Sequence, residues 1–98
     1  MHFLNGSIDI PILTYHSIDN SGSLVSVSPA QFARHMAYLS RNGFRTVLLP
    51  ELVRKLRSSE RPTSRTVVIT FDDGYRNTAE TACPVMRQYG FFATVFVV

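Results

Sequence analysis

The chain of 98 residues carries 45% hydrophobic and 17% charged side chains, a balance that excludes a disordered tail or a coiled coil, at a length that excludes a multidomain enzyme. A domain this short hides only about 60 to 65% of the surface its unfolded form exposes, so its class turns on whether its elements can close on themselves. The formal net charge of +3 resides wholly in residues 51 to 65, where Arg54, Lys55, Arg57, Arg61 and Arg65 stand against Glu51 and Glu60. No aromatic residue interleaves that run, as base stacking would require, so it reads as a solvated face and nucleic acid is not expected as a partner.

Cys83 is the single cysteine, which excludes an intrachain disulfide and a thiolate zinc cluster and is expected to be a buried, unreactive thiol. Residues 1 to 9 read as an N-terminal extension. They lack the basic and apolar regions of a secretory signal, and no run approaches the roughly 18 apolar residues of a membrane span.

Residues 10 to 15 (IPILTY) form an apolar strand closed by His16, with Pro11 near the start, where a missing N–H is tolerable. Residues 17 to 28 are rich in Ser, Asp, Asn and Gly and read as a loop over the end of that strand. Ser28, Pro29 and Gln31 make a hydroxyl N-cap, a proline at the first helical position and a capping box. The helix they open should run to about Asn42, with Phe32, Met36 and Leu39 on its inner face and Gly43 ending it. Phe44 to Val47 supply a second strand. Pro50 starts a second helix, whose apolar stripe is Leu49, Leu52, Val53 and Leu56 and whose Arg54, Lys55 and Arg57 face water.

Thr66 to Phe71 (TVVITF) is apolar without alternation, the pattern of a strand covered on both faces of a parallel sheet. Residues 78 to 89 show helical spacing at Ala82, Val85, Met86 and Tyr89, although Pro84 predicts a break or a late start near Cys83. Gly90 ends that helix, and Phe92 to Val98 begin a further buried strand. The alternation of strands and helices indicates parallel βα units. Because the last strand would present an open apolar edge, residues 10 to 98 are expected to be the N-terminal part of a larger α/β domain.

Asp72 and Asp73 at the carboxyl end of the most apolar strand are the strongest chemical feature. Burying charge costs several kcal/mol per ion unless it is paired or metal-bound. Strand alternation sends the two to opposite faces, but the turn allowed by Gly74 can swing both toward the crevice where ligands bind in α/β sheets and barrels. A cation on one would then leave the other free to accept a proton. The same residues could instead cap the following helix and close a turn. Tyr15-His16 projects from the same rim if the two strands are parallel. His2 and His35 have no motif around them and read as structural or solvated.

The string Thr70-Phe71-Asp72-Asp73-Gly74-Tyr75, followed about 20 residues later by Ala93-Thr94-Val95-Phe96-Val97, resembles the first signature of the polysaccharide deacetylase family. Pro11 to Ser17 (PILTYHS) resembles the opening strand of the branch with an N-terminal Tyr-His. This resemblance spans residues 10 to 98 and implies the first portion of a distorted (β/α) barrel of about seven strands. It implies Asp72 as general base, Asp73 as ligand of a divalent metal, typically zinc, and His16 in the place of the catalytic acid. The implied reaction is metal-dependent removal of N-acetyl groups from a polysaccharide.

The family's second signature, a His-x-x-x-His pair of metal ligands, is absent from these residues, so the chain alone is expected to be inactive. One rival reading is a catalytically dead, carbohydrate-binding or interaction domain on the same scaffold. Another, an aspartate-nucleophile phosphotransferase, is disfavoured because Asp73 fills the next position and no Asp-x-Asp-x-Thr spacing follows.

Overall fold

The computed structural model describes residues 10–58, 65–72 and 76–96. The expected N-terminal extension, residues 59–64 of the polar loop, Asp73 and Gly74, and the last two residues of the expected final strand lie outside the described residues. Among the described residues, six strands and three helices follow one another in chain order. They are β1 (Ile12–Tyr15), β2 (Ser17–Ile18), β3 (Ser26–Val27), α1 (Pro29–Arg41), β4 (Arg45–Thr46), α2 (Leu49–Arg57), β5 (Thr66–Phe71), α3 (Arg76–Tyr89) and β6 (Thr94–Val95).

Strand β5 is the centre, as its composition predicts, with every residue from Val67 to Phe71 buried. Strand β1 runs parallel along one edge, from the Ile12–Val68 pair to the Tyr15–Phe71 pair. The other edge is divided: β4 pairs with Thr66 and Val67, and β6 with Thr70 and Phe71, both parallel. The backbone bonds show why both fit. The carbonyls of Arg65, Val67 and Phe71 accept from Arg45, Val47 and Phe96 on that edge, while the amides of Val68 and Asp72 donate to Pro11 and Tyr15 on the other. Alternate residues of a parallel strand serve alternate edges.

Where β4 gives way to β6, threonine side chains continue the stitching. Phe92 N donates to Thr46 Oγ1 at 2.9 Å, and Leu49 N donates to Thr94 Oγ1 at 3.2 Å. The second bond satisfies an open donor at the start of α2, whose own N-cap residue Leu48 has no side chain able to accept it.

Alternation along β5 divides the interior in two. Val67, Ile69 and Phe71 pack with Tyr15, Phe32, Met36, Leu39, Ala82 and Met86 beneath α1 and α3. Val68 packs on the opposite face with Ile10, Val47 and Leu52. Right-handed crossovers require this split, because α1 and α3 connect in one direction across the sheet and α2 in the other.

Helix α1 begins as its sequence indicates: Gln31 N donates to Ser28 Oγ, and the Gln31 side chain accepts from Ser28 N. Gly43, at φ 74°, turns the chain out of the helix. Four expectations are corrected. The strand expected to be buried from Phe92 is the two-residue β6, with Phe92, Val95 and Phe96 exposed. The segment read as loop contains the short parallel pair β2 and β3. Helix α3 neither breaks nor starts late at Pro84: the missing bond and ring cost about 3 kcal/mol, and burial of Met86 beyond it returns about 1.5 to 3 kcal/mol. Cys83 is exposed rather than buried, because Ala82 and Met86, four residues apart, turn their own side of α3 inward.

Candidate active site

One face of the sheet changes character along its length. Its lowest row, Ile12 beside Val68, is apolar and lies over Leu52 of α2. The next row holds Thr14, Thr70 and Thr94, paired side by side on three parallel strands. The buried Thr70 hydroxyl donates to Thr14 Oγ1 at 2.9 Å. Above them, one residue past the paired Tyr15 and Phe71, stand His16 and Asp72. Parallel strands of matched register thus bring together two residues 56 positions apart in the chain, at the carboxyl ends where α/β proteins place their ligands.

His16 Nδ1 lies 3.9 Å from Asp72 Oδ2, with the two side chains 43% and 39% exposed. That separation is an ion-pair distance rather than a hydrogen bond, so both groups keep free atoms for a molecule entering from solvent. Their backbones are fixed. Asp72 N donates to the Tyr15 carbonyl at 2.9 Å, and buried Thr78 of α3 donates its hydroxyl to the His16 carbonyl at 3.5 Å.

Beneath the rim, the Tyr15 ring meets Phe32 edge-on at 5.1 Å and stacks on Phe71 at 5.7 Å. Burial pushes its phenol up to about 12. Beside the rim, Asp19 organises the turn after β2 by accepting from Ser17 Oγ at 2.6 Å and Ser21 N at 2.9 Å. The Ser17 hydroxyl, then Ser21, hold its carboxyl well below the usual carboxylate range.

The structure therefore joins His16 and Asp72 as the sequence suggests, while Asp73 lies outside the described residues. Among the described residues, no group of three or more His, Cys, Asp or Glu side chains is placed to hold a metal. His16 and Asp72 alone do not fit a zinc site, which takes three protein ligands even in its open catalytic form.

The threonine row went unread in the sequence. Its signal is a spacing of two: Thr14 before His16 and Thr70 before Asp72, on one side of an alternating strand. A groove of about 420 Å³ lined by Phe71, Ala82, Met86, Phe91 and Val95 opens on the other side of β5 and holds neither His16 nor Asp72.

A parallel α/β sheet here brings an acid and a histidine together at its carboxyl rim, and comparison with known proteins shows what it is similar to. Residues 59–98 match the family described as polysaccharide deacetylase. YxkH of Bacillus subtilis (strain 168), a protein named for that family, is 40% identical over 89 residues, covering 91% of this chain and 32% of YxkH.

Among solved structures, the Streptococcus pyogenes deacetylase PplD, in complex with acetate, superposes with a TM-score of 0.82 at 28% identity, over 91% of this chain and 42% of PplD. IcaB from Ammonifex degensii superposes at 0.79 with 30% identity, over 90% of this chain and 37% of IcaB. The chain is similar to the N-terminal part of polysaccharide deacetylases and of their barrel, and it spans about a third of the curated relative's length. Among the described residues no helix is long and apolar enough to cross a membrane.

Proposed function

We propose that this chain supplies the N-terminal half-site of an enzyme that hydrolyses N-acetyl groups on an N-acetylglucosamine-type polysaccharide. The observation that carries the reading is the convergence of His16 and Asp72 at 3.9 Å on the carboxyl rim of adjacent parallel strands. Kinship with PplD, whose structure holds acetate, supports acetate as the product.

In this reading the Asp72 carboxylate takes the proton from the attacking water, and protonated His16 gives one to the departing sugar amine. The amide C–N bond breaks, leaving acetate and a free amino sugar. Partial exposure of both groups lets a polymer approach without unfolding the rim. The Thr14–Thr70 bond keeps the floor beneath them polar and satisfied.

A divalent cation, zinc, with Asp73 among its ligands belongs to the same proposal, and it would polarise the acetyl carbonyl. The remaining ligands would come from outside these 98 residues, so the chain by itself is proposed to be inactive. The test is acetate release from an acetylated polysaccharide by the intact protein and by Asp72→Asn. A loss of at least about a hundredfold supports the assignment. Undiminished release overturns it, and polymer binding with no release in the parent protein supports the non-catalytic domain instead.

A further inference from the structure

We propose that His35 is a positioning residue for His16, acting through the hydroxyl of Tyr15. This inference rests on the deacetylase reading above for its consequence in catalysis, and on geometry for the contact itself.

Tyr15 is a joint between three elements, its own β1, β5 and α1. Its carbonyl accepts from the amide of Asp72, the last rung joining β1 to β5. Its ring is wedged between Phe32 of α1 and Phe71 of β5. Its hydroxyl lies 2.8 Å from Nδ1 of His35, on α1. The next residue, His16, is held by its carbonyl to Thr78 of α3. His16 is the single residue between β1 and β2, so the direction of its side chain follows from how Tyr15 on one side and Thr78 at its carbonyl are held.

The aromatic contacts seat the Tyr15 ring between α1 and β5, and the 2.8 Å hydrogen bond to His35 adds a polar tie from β1 to α1 at the end of that ring. A buried hydroxyl also requires a partner. With its phenol pushed up to about 12, Tyr15 stays neutral through the working range. It can donate to an unprotonated Nδ1 or accept from a protonated one, so the contact persists in either state of the imidazole.

Among the described residues, His35 meets Tyr15 both through this hydrogen bond and through a tilted ring contact at 6.0 Å. It is exposed, and Phe32, Met36 and Leu39 already supply the buried side of α1. Its contribution to the core is therefore small, and its contact with Tyr15 is specific.

The test compares His35→Ala, Tyr15→Phe, the double variant and His35→Gln in the intact protein, with acetate release from an N-acetylglucosamine oligosaccharide and the NMR signals of the His16 ring as readouts. Each single variant is expected to lower kcat about tenfold with KM unchanged, as loss of one orienting hydrogen bond allows. The double variant should lose no more than either single one. His35→Gln, which keeps a hydrogen-bonding side chain, should recover most of the rate. The His16 signals should shift or broaden in both single variants and return in His35→Gln.

Additive losses in the double variant, or unchanged kcat and unchanged His16 signals in His35→Ala, overturn the inference. If the parent protein releases no acetate, the deacetylase reading fails and the NMR arm alone decides the positioning role. If Asp72→Asn abolishes release while His35→Ala leaves both readouts intact, only the positioning role fails.

Discussion

The two faces of β5 are built from alternate residues of one six-residue strand, yet they do different work. On one face Val67, Ile69 and Phe71 are apolar throughout and are closed over by α1 and α3. On the other, Val68 is apolar, Thr70 is polar but satisfied, and Asp72 just past the strand is charged and half-exposed. Helices cover both faces, α1 and α3 on the first and α2 on the second, and the second grades from core to chemistry within about 13 Å, at roughly 3.3 Å per residue. The rigid face holds the reactive one in place, and register with β1 repeats the grading in Ile12, Thr14 and His16.

Mutations can break this division of labour. The largest stability loss is expected from Phe32→Ala, which empties the aromatic contact under the first face. About 3 to 5 kcal/mol should disappear from the unfolding free energy in urea.

Val68→Thr sharpens the comparison by pushing polarity one row too deep, where the new hydroxyl meets only apolar neighbours. It should cost about 1 to 3 kcal/mol by the same measurement. Thr70→Val makes the reverse change and removes the donor to Thr14. A loss of about 1 kcal/mol is expected, and a cost as large as that of Val68→Thr would show that the threonine row is core rather than floor.

A further effect concerns pH. The Tyr15 phenol titrates at about 12 in the folded protein against 10.0 ordinarily, so the unfolded chain loses that proton first. Its contribution is intact below about pH 10 and declines between about pH 10 and 12. Absorbance at the tyrosinate wavelength should show a late component that Tyr15→Phe removes.

Local chemistry made much of this legible from the residues alone. The capping box at Ser28 and the turn at Gly43 bracket α1 within a residue of its observed ends. The unbroken apolar run of β5 announced a strand covered on both sides. The Asp72 and His16 motif residues stood where strands end. Pro84 misled, because the penalty of a helical proline is local while the packing that offsets it is contributed by α1 and β5.

Other features have no local signature. Nothing near Tyr15 indicates that its hydroxyl will meet His35, twenty residues away on another element. Nor does any short window show that β4 and β6 share one edge of β5, or that Thr14, Thr70 and Thr94 form a row. Propensity and alternation act over a few residues, so the sequence by itself determined which segments become strands or helices and which side chains lie on a common side of each. Strand partners and register arise only when distant segments bury surface together, and so the tertiary structure alone decided that His16 faces Asp72.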